Sequence, residues 1–140
     1  MPSQCVFCRI IEGHLPASKV YEDEQAIAFM DIMPINPGHI LVAPKSHFQE
    51  LSDMDEDTGA HLFRVAMRVE KALRAAGLPC EGTNLLQNNG QEAWQEVMHV
   101  HLHVIPRFRG DGVKVHFGQQ EAPRVQLDQW AEQIKAHLLP

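Results

Sequence analysis

Residues 98–106 read Met-His-Val-His-Leu-His-Val-Ile-Pro, three histidines alternating with branched aliphatic residues. Successive side chains of a β-strand point to opposite faces. A spacing of two therefore puts His99, His101 and His103 on one face and Val100, Leu102 and Val104 on the other. A helix would scatter the imidazoles around its circumference, so the alternation predicts a strand whose apolar side meets a core. Same-face neighbours on a strand stand roughly 7 Å apart, and three of them span about 13 Å. Two such imidazoles can converge on one metal ion, whereas three on a single ion would distort the strand. Division of labour suits the row better: one imidazole acts as nucleophile or base while its neighbours orient substrate, move a proton or hold a metal. Solvent-facing positions are usually filled by Lys, Glu, Thr or Ser, so a histidine row is a poor candidate for mere solvation.

The remaining pattern is that of an α+β domain. Val20-Tyr21 and Ala26–Met30 flank the acidic turn Glu22-Asp23-Glu24 and predict a hairpin. A loop with Pro34, Pro37 and Gly38 follows, then a short buried strand, residues 39–44. Ser52-Asp53-Met54-Asp55 has the Ser-x-x-acid form of a capping box and predicts a long helix from about Ser52. Its apolar stripe is Leu62, Val65, Ala66, Val69 and Leu73, and Gly77 with Pro79 ends it. Residues 83–88 predict a further strand and Asn89-Gly90 a turn. Gly110-Asp111-Gly112 reads as a flexible surface stretch. Leu127, Trp130, Ala131, Ile134 and Leu138 give a C-terminal amphipathic helix, with Trp130 expected as a core anchor. The expectation is about five mostly antiparallel strands, the histidine strand central, with one long and one shorter helix.

Charge and cysteine usage narrow the function classes. Twelve basic against eighteen acidic residues leave a net charge of −6, which argues against a nucleic-acid-binding surface. Any phosphate recognition has to be local. No apolar run approaches the roughly 20 residues of a membrane span, and the first residues lack a basic and apolar leader, so a soluble cytoplasmic protein is expected. Cys5 and Cys8 form a Cys-x-x-Cys, and Cys80 stands alone. With no strand before it, the pair reads better as half a metal site than as a redox pair, and it needs two further ligands from elsewhere.

His99-Val100-His101-Leu102-His103-Val104-Ile105 joins four other segments in order. These are residues 5–11 (Cys-Val-Phe-Cys-Arg-Ile-Ile), 28–32 (Ala-Phe-Met-Asp-Ile), 37–45 (Pro-Gly-His-Ile-Leu-Val-Ala-Pro-Lys) and 87–90 (Gln-Asn-Asn-Gly). Together they resemble the histidine-triad (HIT) superfamily of nucleotide hydrolases and transferases. The likeness covers a core over residues 1–109 of a single domain spanning 1–140, with 110–140 as a C-terminal extension.

The resemblance implies cleavage at the α-phosphate of a nucleoside derivative, purine preferred, in two steps. His101 attacks phosphorus to give a nucleotidyl-histidine, and water then releases the mononucleotide. His103 donates to phosphate oxygens and His39 completes the cluster. Val6, Phe7, Ile10, Phe29, Ile32 and Leu41 would bracket base and sugar, and Asp31 would accept from the ribose hydroxyls. Asn88 would contact the phosphate region and Gln95 the leaving-group oxygen. Members with the Cys-x-x-Cys hold a structural zinc, here by Cys5, Cys8, His47 and His99. A homodimer pairing two sheets edge to edge across the long helix is also implied.

One stretch departs from the family pattern. Where many relatives read Gly-Gln-Ser/Thr, this chain has Trp94-Gln95-Glu96. A carboxylate beside phosphate is repulsive unless it is protonated, turned away or paired with a cationic leaving group, and the last of these would favour an amine-linked substrate. The reading is therefore a nucleoside phosphoramidate hydrolase. The alternatives are a dinucleoside polyphosphate hydrolase on the same nucleophile and a nucleotide-binding regulatory module with little turnover.

Overall fold

Five short apolar runs separated by turn residues become the strands of one antiparallel sheet. The computed structural model describes residues 4–139. In chain order the elements are α1 (Val6–Ile11), β1 (Lys19–Glu22), β2 (Ala26–Met30), β3 (Ile40–Pro44), α2 (Glu56–Ala75), β4 (Gly82–Gln87), β5 (Leu102–Arg107) and α3 (Arg124–Lys135). The sheet order is β1-β2-β3-β5-β4, with every pairing antiparallel. The middle strand is thus β3, and the histidine strand β5 is its interior neighbour.

The register sorts the side chains by face. Phe29, Leu41, His103 and Leu86 are direct cross-strand partners and share one face. The opposite face packs on α2, whose Leu62, Val65, Ala66, Val69 and Leu73 are buried with Ala28, Val42, Val100 and Val104. Val65, Val69 and Leu73 therefore belong to this chain's own core. Leu62 lies at the heart of that cluster. Leu62→Ala should cost about 3 kcal/mol of unfolding free energy, read as a lowered urea midpoint at unchanged slope.

Local rules and tertiary packing disagree in three places. Helix α2 begins at Glu56, capped by Asp55, whose side chain accepts from the Thr58 N–H at 3.0 Å. Residues 51–53 form a separate 3₁₀ turn closed by Glu50 and Asp53, so the expected start at Ser52 comes one turn early. The β5 ladder begins at Leu102: residues 97–99 form a bend, and the Val100 N–H donates to Phe48 O at 2.8 Å. The alternation survives outside the ladder, because Val100 and Val104 still point into the α2 core. Helix α3 forms as expected but buries none of its residues, and Trp130 is 47% exposed. One face of the sheet belongs to α2 and the other to α1 and the histidines, so Trp130 is no core anchor within this chain.

Candidate active site and metal centre

Two clusters lie on the face away from α2. The first joins α1, the segment after β3 and the bend before β5. Cys5 is the N-cap of α1 and Cys8 sits one turn on. Cys5 Sγ lies 3.4 Å from His99 Nδ1, and Cys8 Sγ lies 3.4 Å from His47 Nδ1 and 3.6 Å from His99 Nδ1. The two Nδ1 atoms are 3.1 Å apart. Bonds of about 2.3 Å to sulfur and about 2.05 Å to nitrogen make tetrahedral edges of about 3.3 Å between nitrogens and about 3.6 Å between nitrogen and sulfur. The four separations above lie within about 0.2 Å of those edges, and all four ligand atoms lie within 4.8 Å of one another. His99 Nε2 faces Pro44 O at 2.8 Å, and because a carbonyl only accepts, Nε2 carries the proton and Nδ1 keeps its lone pair. Burial holds His99 neutral, down to about 4, with His47 and His101 adding to the effect. Burial and the neighbouring Cys5 push the Cys8 thiol up to about 11, so a cation is what would make it a thiolate. The donor set therefore fits a zinc-type ion.

In the second cluster the neighbours again assign the ring protons. His101 Nδ1 lies 2.7 Å from His99 O and must donate to it, which leaves Nε2 with its lone pair. The Ile35 N–H donates to His39 Nδ1 at 3.1 Å, so His39 carries its proton on Nε2. That nitrogen is 2.9 Å from His103 Nδ1 and donates to it, so His103 in turn presents Nε2–H. Asp31 stands 3.5 Å from His39 Nε2 and accepts from the Met33 N–H at 2.9 Å. Ligand atoms of Asp31, His39 and His103 also lie within 4.8 Å of one another. A metal on His39 Nε2 would need the proton on Nδ1, where a backbone N–H already points. This trio is built to pass hydrogen bonds.

All three imidazoles are held neutral. Burial lowers His39 and His101, and Asp31 opposes it at both, with Glu96 also opposing it at His101. Burial, with His101 and His39 adding to it, takes His103 down to about 4. Phe7 of α1 packs edge-on to His101 with ring centroids 4.9 Å apart. One helix thus supplies two metal-site sulfurs and a wall for the second cluster.

The other expected site residues divide by burial. Phe7, Ile10, Phe29 and Leu41 form one buried group with Ile27 and Ala43 on the histidine face. Val6 and Ile32 are exposed. Gln95 is buried, with both amide protons spent on Gln49 O and Val97 O while its oxygen accepts from the Gly90 N–H. These bonds brace the loop. Asn88 Nδ2 donates to Trp94 O at 3.4 Å, and Glu96 is exposed. Trp94 holds φ 70°, the left-handed conformation a glycine adopts freely, and is 68% exposed. The loop keeps a glycine's backbone while carrying the largest side chain.

Asn36 escaped the sequence reading, and Asp111, expected in a flexible surface stretch, is instead an anchored side chain only 6% exposed. Asn36 is buried, and Asp111 accepts hydrogen bonds from Asn36, Arg107, Phe108 and Val113. An aspartate between glycines, four residues after an arginine, is the signal that could have marked Asp111 as a turn anchor.

The chain is similar to known proteins. The HIT domain family model matches residues 12–110. An adenosine 5′-monophosphoramidase of Saccharomyces cerevisiae is 35% identical over 139 residues, covering 99% of this chain and 85% of that protein. A crystal structure of a HIT family member from Bacillus subtilis superimposes with TM-score 0.91 at 34% identity, covering 99% of both chains. A Zn-bound histidine triad family protein from Mycobacterium smegmatis aligns with TM-score 0.76 at 37% identity, covering 95% of this chain and 97% of that one.

Proposed function

Because the chain belongs to the HIT family, we propose that it hydrolyses nucleoside phosphoramidates at the α-phosphate through a nucleotidyl-His101 intermediate, releasing a mononucleotide. The carrying observation is the proton on His101 Nδ1, held by His99 O at 2.7 Å, which leaves Nε2 as an uncharged nucleophile. In the first step Nε2 bonds to phosphorus as the bond from phosphorus to the amine breaks, the nitrogen taking a proton from solvent so that it leaves as a neutral amine. The same carbonyl then accepts from an imidazole that has become cationic, so it favours the intermediate. His103 offers Nε2–H to the phosphate oxygens, and Asp31 can accept from ribose hydroxyls. In the second step water attacks phosphorus, the bond from phosphorus to Nε2 breaks, and a proton from the water passes to solvent, which frees neutral His101 and the mononucleotide.

Burial lowers the proton affinity of His101 against the opposing His99 carbonyl and Asp31, and the exposed Glu96 carboxylate adds a smaller opposing charge. It would favour a departing amine over an anionic leaving group. Glu96→Ser should cut the preference for amine-linked over oxygen-linked substrates by about fivefold. An unchanged ratio of kcat/KM values removes this role.

Zinc held by Cys5, Cys8, His47 and His99 goes with this reading, as does a cytoplasmic setting in which cysteine ligands stay reduced. A homodimer is supported by the edge position of β4, where Leu85 and Leu86 are exposed, and by the exposed Phe63 and Met67 of α2. A purine base suits the apolar group around Phe7 and Phe29. The deciding experiment measures kcat/KM for an adenosine phosphoramidate and a diadenosine polyphosphate side by side. Faster turnover of the phosphoramidate supports the proposal. Preference for the dinucleotide moves the chemistry to an oxygen leaving group, and turnover of neither leaves a nucleotide-binding module.

A further inference from the structure

We propose that Asn36 and Asp111 are positioning residues that fix which nitrogen of His103 carries the proton. The inference rests on the proposed function only in giving His103 a substrate to serve.

The chain of contacts is continuous. Asn36 is 5% exposed and spends both amide protons, one on Pro106 O at 2.9 Å and one on Asp111 Oδ2 at 3.0 Å. Asp111 is itself anchored: Arg107 Nε donates to Oδ2 at 2.7 Å, and the Val113 N–H donates to Oδ1 at 3.1 Å. Arg107 reaches across to Asn84 Oδ1 of β4 at 2.9 Å. The turn after β5 thus grips the loop between β2 and β3 through one buried amide.

That grip decides where a backbone proton points. The loop closes on itself, with the Asp31 N–H donating to His39 O at 3.0 Å and the His39 N–H donating to Asn36 O at 3.1 Å. So closed, it aims the Ile35 N–H at His39 Nδ1, which obliges His39 to donate from Nε2 and His103 to accept at Nδ1. Without the grip, His39 is free to carry its proton on Nδ1. Its Nε2 then becomes an acceptor, His103 must donate from Nδ1, and its outer nitrogen shows a lone pair to the phosphate. A donor would be exchanged for an acceptor, although neither imidazole has changed charge.

The test is long-range ¹H–¹⁵N correlation NMR of the histidine rings in the full chain, on the parent, Asn36→Ala and Asp111→Asn. The parent should show His39 and His103 each protonated on Nε2. Both variants should show mixed or inverted patterns at these two residues. Their kcat on an adenosine phosphoramidate should fall roughly ten- to a hundredfold while KM moves less than about twofold. Asp55→Ala, which removes the α2 cap, lowers stability without touching the loop and should keep the parent pattern. Parent-like ring patterns in both variants overturn the proposal, and if Asn36→Ala does not fold, Asp111→Asn decides. Since the ring patterns are read without turnover, a parent that hydrolyses nothing would sink the hydrolase reading alone.

Discussion

His101→Asn should abolish turnover, lowering kcat/KM on an adenosine phosphoramidate by about four orders of magnitude or more while leaving the thermal midpoint close to that of the parent. The size of the effect follows from the role. Asparagine can still donate to His99 O from a similar position, so the bend before β5 keeps its hydrogen bond. It has no lone-pair nitrogen that can bond to phosphorus and leave again. Steady-state kinetics with both substrates, together with an alkaline rapid quench to trap the nucleotidyl-enzyme on the parent, give the answer. An adduct absent from the parent, or more than about a tenth of parental activity in His101→Asn, would mean that His101 is not the nucleophile.

Removing the metal should have the largest effect on stability. Cys5, Cys8, His47 and His99 tie α1, the segment after β3 and the bend before β5 to a single point. Without a cation the lone pair of His99 Nδ1 stands 3.1 Å from His47 Nδ1 and close to two thiols, so four metal-ligating groups converge with no charge to share. Protein purified without chelator should contain one zinc per chain. Stripping it, or replacing Cys8 by serine, should lower the thermal midpoint by about 10 °C, equivalent to roughly 3 kcal/mol at this chain length. Acid should weaken the site as well, because protons compete for thiolate and imidazole lone pairs. Activity should fall with stability, since α1 also carries the Phe7 ring that packs against His101. Metal-free protein with an unchanged midpoint on chelation would sink this assignment.

The residues involved in these predictions were legible to different degrees. The alternation around His101 announced a one-sided histidine row, and cross-strand pairing of His103 with Leu41 puts that row beside the apolar group the sequence suggested. The stripe Leu62, Val65, Ala66, Val69 and Leu73 was legible because a 3.6-residue period needs only one buried face. The beginning of α2 was less so. Ser52 looks like a cap, but residues 51–53 form a 3₁₀ turn of their own and Asp55 caps the helix instead. Gln95 was visible as a polar residue near the triad, but which backbone groups would claim its amide was not.

Periodicity and turn chemistry are local quantities, and with the family motif they determined the sheet, the long helix, the histidine face and the ligand types of the metal site. The tertiary structure decided what depends on distant groups meeting. Pro44 O frees His99 Nδ1 for a metal, Ile35 N–H assigns the proton on His39, and Asn36 reaches Pro106 and Asp111 across 70 and 75 residues of chain. It also decided that α3, amphipathic in sequence, stays uncovered within one chain, because both faces of the sheet are already occupied. A side chain's type fixes which hydrogen bonds it can make, whereas the fold alone settles which partner arrives to make them.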